Sequence, residues 1–481
     1  MKRTISISAV LIILLMSVFI LLWQDLDSLS VSGSVTDLAG QNQALDDGAF
    51  HQDNTGDADN NLNNEQMTVN KDEQILKAKL ELLSKLNPAN EYIMFRNSSK
   101  TTEEFADWLS DNYGTDVLNE LSNCSEELIV RNFYMQTGKS LFVLLDEFMG
   151  MKDYDSRESR SIDGVNLTFA GDICLAEDGF VLDYYDTTSG LKECISEKIV
   201  EVTNSADIFM INNEFCFSDR GTALAGKMYT FRAMPQRAGI LQELGTDIVS
   251  LANNHVYDFG ADAFSDTIRV LDEAGIRHIG GGANSSEAER VVYYDVNGIK
   301  IGFVAASSAE KIRYTPGADE NNPGVFRMYD AARLMEVVAD AGKQCDYLVA
   351  YLHWGTEDSK YFEEYQHELA ENLINAGVDA IIGGHPHVFQ GMEYINGKPV
   401  IYSLGDFWFN SETKYTGMVN LCIDINGLLK VTVIPCIQKN YTTALLEDAE
   451  ERTGFFDYFM ELSPGINVSA DGVAEVNRGN S

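Results

Sequence analysis

The chain has 481 residues, 45% of them hydrophobic, enough to bury a core in at least one domain with length left over for attachments. Acidic residues outnumber basic ones by 74 to 35, for a net charge of −39. That balance repels a phosphate backbone and no basic stripe offsets it, which argues against nucleic acid as a partner; it keeps an exterior solvated and supports cation binding only weakly.

Residues 1–4 carry Lys2 and Arg3, and the run Ile5–Trp23 is apolar except for Ser6, Ser8 and Ser17. Its length suits one membrane-spanning helix, with the basic flank in the cytoplasm and everything after Gln24 outside. A cleaved signal peptide is the competing reading, although no clear small-x-small site follows the run. From 24 to 72 the chain is rich in Asp, Asn, Gln, Gly and Ser, a composition too polar to fold, and reads as an acidic tether.

Helical periodicity begins near Glu73 with Ile75, Leu76, Leu80, Leu83 and Leu86. It continues through Phe105 and Leu109, Leu118 and Leu121, and Leu128 and Phe133, which predicts a small helical module over 73–153. Residues 163–438 then alternate apolar strands with amphipathic helices expected at Gln236–Leu244, Ala261–Ala274, Ala331–Lys343 and Glu363–Ala376, the pattern of α/β layers. Asn297-Gly298, Asn396-Gly397 and Asn426-Gly427 mark tight hairpins, so antiparallel pairs accompany the βα units and a two-sheet sandwich flanked by helices is expected. Residues 439–481 weaken into an acidic tail with an aromatic cluster, Phe455, Phe456, Tyr458 and Phe459. Seven cysteines without a C-x-x-C pair give no disulfide framework.

Six of the predicted strands run straight into metal- or phosphate-type residues: Asp172, Glu214, Asn254 with His255, His353, His385 with His387, and Asp406. Ligands of open α/β sheets bind beyond the carboxyl ends of the strands, so these groups are expected to converge on one metal-dependent pocket. In Gly383-Gly384-His385-Pro386-His387 a glycine turn lets two imidazoles face neighbouring metal positions. Asn254 offers an amide oxygen, and His255 stands where an imidazole protonates a leaving group or holds a substrate oxygen. Asp172 and Glu214 are the carboxylates able to bridge two ions, though each singly fits a helix cap. His353, followed by Trp354, Gly355 and Glu357, fits a buried core histidine as well as a ligand. Asp406 either orients a metal-bound imidazole or caps its turn. No G-x-S-x-G, Walker loop or helix-opening G-x-G-x-x-G is present, so nucleophilic-serine and nucleotide-cradling readings fall away.

These residues in this order resemble the capsule synthesis protein CapA family, itself similar to calcineurin-like metallophosphoesterases. The resemblance lies in Leu167–Ile173, Asn212–Glu214, Phe231–Pro235, Ser250–Gly260, Leu352–Glu357, Gly384–Val388 and Tyr402–Phe407. It implies a four-layer α-β-β-α sandwich and one or two divalent metal ions (Mn, Fe, Zn or similar) held by Asp172, Glu214, Asn254, His353, His385 and His387. It also implies His255 and Asp258 as the acid pair. The implied role is in making, exporting or anchoring poly-γ-glutamate or a related anionic envelope polymer at the cell membrane, by a single-pass protein whose main domain is extracytoplasmic. A phosphoesterase, and a non-catalytic protein docking a membrane synthase or export complex through 73–153, are the alternatives. Departures from the pattern are Cys174 where metallophosphoesterases carry a ligand histidine, Asp406 where the family commonly has Asn, and Asn213 where it has a small apolar residue. Cys174 reads as an inert residue on the sheet's inner face, with a thiolate ligand as the alternative.

Overall fold

The computed structural model describes residues 102–124, 129–177 and 181–477. The expected basic flank, apolar span, tether and first part of the helical module, 1–101, lie outside the described residues. Among the described residues no helix is long and apolar enough to cross a membrane.

Strands longer than two residues are, in chain order, β1 Tyr154–Arg157, β2 Val165–Ile173, β3 Ile208–Asn213, β4 Ile248–Ser250, β5 Arg277–Ile279, β6 Val292–Val296, β7 Ile299–Ser307, β8 Tyr347–His353, β9 Ala380–Gly384, β10 Met392–Ile395, β11 Lys398–Ile401, β12 Asp406–Trp408, β13 Lys414–Asp424, β14 Gly427–Lys439, β15 Thr442–Leu445, β16 Ile466–Val468 and β17 Ala474–Val476. Helices of six residues or more are α1 Thr102–Tyr113, α2 Thr115–Asn123, α3 Ile129–Thr137, α4 Leu141–Met149, α5 Glu197–Ser205, α6 Ala238–Glu243, α7 Ala261–Glu273, α8 Ala332–Ala341, α9 Glu364–Ala376 and α10 Ala449–Leu462. One sheet has the order β1-β6-β7-β8-β9-β11-β10, the other β15-β14-β13-β2-β3-β4-β5 with β12 also on β2.

Strand alternation decides the layers. In β7, Ile301, Phe303 and Ala305 enter the apolar layer between the sheets while Val304 and Ala306 face the helices; in β8, Tyr347, Val349 and Tyr351 go in and Leu348, Ala350 and Leu352 go out. Leu167 and Phe169 of β2 meet them from the other sheet, with Phe169 and Phe303 ring centroids 6.4 Å apart. Leu334, Val338, Leu373 and Ile374 of α8 and α9 cover the first sheet, and Ile199, Leu241, Phe264 and Leu271 of α5, α6 and α7 cover the second. The result is four layers, helix-sheet-sheet-helix. Asn297-Gly298 and Asn396-Gly397 turn antiparallel hairpins with both residues at positive φ, as two-residue turns of that hand require. At the third hairpin only Gly427 is left-handed, and the pairing of β13 with β14 shifts register beside it.

Helices α1 to α4 form their own core around Phe105, Leu109, Leu118, Leu121, Phe133 and Phe148. That module sits on the edge of the first sheet: Ser140 N–H donates to Gly298 O (2.7 Å), and a buried ion pair joins Asp146 to Lys300. Past Gln438 the sequence pattern weakens, yet α10 packs Phe455, Phe456 and Phe459 into the layer between the sheets, Phe459 lying 5.4 Å from Phe389. Its aromatic spacing (455, 456, 459) buries one face while acidic residues hold the other in water, so the segment is acidic by composition and still part of the core. Phe455→Ala is expected to cost about 3–5 kcal/mol in urea unfolding; an unchanged midpoint would remove α10 from the core.

Candidate metal centre

Central strands of both sheets end at the same edge. Register pairs Asp172 with Asn212 and Asp406, Asn212 with Ser250, and His353 with Gly384. Parallel neighbours in register present their carboxyl-end side chains side by side, and six donors meet there because the two sheets face each other. Gly383 and Gly384 are required by close approach: a Cβ on Gly383 would lie 1.9 Å from Tyr402 O, and one on Gly384 would lie 2.6 Å from Asp172 Oδ1. The chain then places His385 at φ 98° and His387 at φ 57°. Left-handed backbone at a non-glycine costs on the order of 1–3 kcal/mol, and here both such residues are imidazoles aimed into the site.

Asn212 is the hub. Its Nδ2 donates to Asp172 Oδ1 (2.8 Å) and Glu214 Oε2 (3.0 Å) and lies 3.3 Å from His353 Nδ1, while its Oδ1 accepts from Asn253 Nδ2 (2.9 Å). His385 N–H donates to Asp172 Oδ2 (3.1 Å), and Asn254 Oδ1 lies 2.7 Å from His353 Nε2. Two donor sets result, Glu214 with His353 and His385, and Asp172 with Glu214 and His387, the ligand atoms of each within 4.8 Å of one another. Glu214 belongs to both, the placement of a bridging carboxylate. A third set, Glu357 with His385 and His387, reaches the surface through the exposed Glu357.

The fit to a cation rests on two orphaned atoms. Glu214 Oε1 and His385 Nδ1 are buried and have no hydrogen-bond partner. Each such atom costs about 1–3 kcal/mol unless something pairs with it, and imidazole nitrogens facing carboxylate oxygens across a buried gap are the donors a divalent transition metal prefers. Burial holds the His385 ring neutral, pushing its pKa down to about 3, and pushes His353 well below the ordinary histidine value. Burial also raises Glu214 well above the carboxylate range and Asp172 to about 6. His387 goes the other way: burial opposes its charge, but Asp406, Glu214 and Asp172 outweigh that and raise it to about 10. Its Nδ1 lies 2.8 Å from Asp406 Oδ1, which orients the ring.

At the rim, His255 Nδ1 lies 2.8 Å from Asp258 Oδ2, and its ring packs 4.3 Å from Phe231. Asp258 is fully buried and also accepts from Phe231 N–H (2.7 Å) and Lys227 Nζ (2.5 Å). Burial lowers the His255 pKa, with Asp258 acting against it.

All eight residues expected from the sequence thus lie around one centre: six in or beside the two donor sets, and His255 with Asp258 next to them. Cys174 is in none of the sets found among the described residues. It is buried in the layer between the second sheet and its helices rather than between the sheets, and burial together with Glu214 raises its thiol well above the usual range. Asn212 had a signal, since it stands two residues before Glu214, the spacing that returns to one face of a strand. Lys227 had none. Its partner lies 31 positions away and only loop packing joins them.

A helix-sheet-sheet-helix sandwich with a buried two-position donor site at its strand ends is the class these observations define. The model of the bacterial capsule synthesis protein PGA_cap family matches residues 166–411, just over half of the chain, and the chain belongs to that family. A Bacillus anthracis protein named capsule biosynthesis protein CapA is 31% identical over 229 residues, 45% of this chain and 52% of that one. Bacillus subtilis has a protein named PGA biosynthesis protein CapA, 26% identical over 304 residues, 61% of this chain and 78% of that one. The alignment therefore spans about half the length of the Bacillus anthracis relative. Among solved structures, the 5'-nucleotidase of Candida albicans is 12% identical over 64% of this chain and 55% of that one, at a TM-score of 0.33, too slight a likeness to carry an argument.

Because His387 holds a proton up to about pH 10 and Asp172 one up to about pH 6, a cation must displace protons to enter. Metal affinity is expected to climb with pH, at least about tenfold per unit between pH 7 and 9, where His387 must give up its proton and the raised Glu214 can only add to the slope, and more steeply below pH 6. Titration calorimetry in buffers of different ionisation enthalpy reads this as proton release; affinity flat over that range would contradict it. Gly384→Ala is expected to displace the Asp172 carboxylate and at least halve the bound metal measured by elemental analysis, with the fold retained by circular dichroism.

Proposed function

We propose that the chain works outside the cytoplasmic membrane, tied to it by residues 5–23, in making, exporting or anchoring poly-γ-glutamate or a related anionic envelope polymer. Its centre, in a fold of the calcineurin-like metallophosphoesterase type, is a hydrolytic one. The observation that carries the reading is the hydrogen-bonded His255–Asp258 pair beside two donor sets that share Glu214. A site that only gripped carboxylates has no use for a second, carboxylate-oriented imidazole.

Asp172, Glu214, Asn254, His353, His385 and His387 would hold one or two divalent ions, which supply Lewis acidity and a water that is acidic at neutral pH. Asp258 accepts from His255 Nδ1 and fixes the ring; no hydrogen bond among the described residues holds Nε2, so in the doubly protonated ring that nitrogen carries the proton passed to a departing oxygen or nitrogen, and the ring is left neutral with its Nδ1 proton still donated to Asp258. With a net charge of −39 the protein repels a polyanion, and ions held by these donors would also offset that repulsion toward an acidic substrate. The family membership supports the envelope-polymer setting, as do the names of the two Bacillus relatives, one for capsule biosynthesis and one for PGA biosynthesis.

The purified full chain, loaded with Mn or Zn, is to be assayed on aryl phosphate esters and on poly-γ-glutamate. His255→Ala is expected to lose about 100-fold or more in turnover with metal stoichiometry unchanged, and His387→Ala to lose metal and turnover together. Fully loaded protein that turns over neither substrate class, yet retains the polymer in a chelator-sensitive way, would replace the hydrolytic reading with a binding one.

A further inference from the structure

The proton-delivering pair is not built by its own loop alone. Lys227 arrives from the segment 219–231 and its side chain is 5% exposed, beside a fully buried Asp258. Its ammonium makes two contacts, one to Asp258 Oδ1 at 2.5 Å and one to the main-chain carbonyl of Asn254. That carbonyl also accepts from Thr315 Oγ1 (2.9 Å). Asn254 is the residue whose amide oxygen meets His353, so one cation ties together the partner of His255 and the backbone of a metal-side donor. The same segment supplies Phe231, whose N–H takes the Asp258 oxygen that faces His255 and whose ring lies on the His255 ring. Leu224 N–H adds a bond to Asp258 O (2.9 Å). Between these anchors Met228 and Tyr229 stand 86% and 59% exposed at the surface.

We propose that Lys227 is a positioning residue: by pinning the free oxygen of Asp258 and the carbonyl of Asn254 it fixes the His255 ring relative to the metal centre, so that proton delivery depends on a loop outside the strand-end motifs. The proposal rests on the reading of His255 as proton donor. A buried carboxylate with one oxygen unpinned has a second rotamer open to it, and a buried ammonium-carboxylate pair cannot lose one partner without leaving a charge unpaired. Removing the ammonium therefore frees the Oδ1 side of Asp258, and His255 loses its fixed orientation, while Thr315 still holds the Asn254 carbonyl and the side chains of the other five metal-side donors make no hydrogen bond to Lys227.

The test uses the full chain with Lys227→Met. Metal per chain is expected to stay unchanged. In the wild type, nitrogen-15 spectra of the histidine rings should show a His255 Nδ1–H resonance protected by Asp258; in K227M it should broaden or vanish. On a series of aryl phosphates, K227M should lose about 100-fold with a poor leaving group such as phenol and only a few-fold with a nitrophenol, because general acid catalysis matters in proportion to the leaving group's need for a proton. An unchanged resonance and an unchanged leaving-group dependence would overturn the proposal. Should wild type hydrolyse no phosphate ester, the phosphoesterase form of the hydrolytic reading fails, while the ring spectra still decide the role of Lys227. If K227M does not fold, Lys227→Gln drops the charge facing Asp258 but keeps a donor for the Asn254 carbonyl, and carries the same two readings.

Discussion

Two carboxylates and two imidazoles held out of water beside a third, partly exposed imidazole are the constraint on which the rest of the structure turns. Glu214, Asp172 and His353 are fully buried, and Glu214 Oε1 and His385 Nδ1 have no hydrogen-bond partner among the described residues. Protein alone does not make such a cluster favourable, because burial penalises every charged form in it. Asn212 relieves part of the repulsion by donating to both carboxylates at once, and His387 takes up charge from Asp406, Glu214 and Asp172. What is left over is a pair of inward-facing atoms without hydrogen-bond partners, which a cation would satisfy.

The sandwich supplies the means of holding that cluster. Side chains alternating along β7 and β8 fill the layer between the sheets and the layer under the helices at the same time, so the strands cannot slip by one residue without exchanging the side chains that pack those two buried layers. Fixed register at the centre of each strand fixes the position of the residue at its end. The cost appears in the backbone, at the left-handed His385 and His387, and in the glycines that let β9 pass against Tyr402 and Asp172. The acid pair is held differently. His255 and Asp258 lie on a loop, and their placement depends on contacts from residues 224–231 and on Thr315.

Much of this was legible in order along the chain. Apolar runs ending in Asp172, Glu214, His353 and His385 announce both a strand and a donor at its tip, since the period of the run and the identity of the terminating residue are local properties. The Asn-Gly pairs at 297 and 396 state their own turn type. Less legible was the segment after Gln438, whose acidic composition hides the buried face of α10, because burial there is set by the groove beside Phe389 and not by the segment's mean polarity. Cys174 likewise follows Asp172 by two residues, a spacing that suggests a shared face, but the chain leaves β2 at Ile173 and carries the thiol into the helix-side layer.

Sequence by itself determined the element types, the donor chemistry and the family, because these depend on residues near one another in the chain. Tertiary structure decided which donors share an ion position, that Glu214 stands in two sets, that Asn212 is the hub, and that Lys227 reaches Asp258 across 31 positions. Those are distances between segments brought together by packing of the two sheets and their loops, and no periodicity in the chain encodes them.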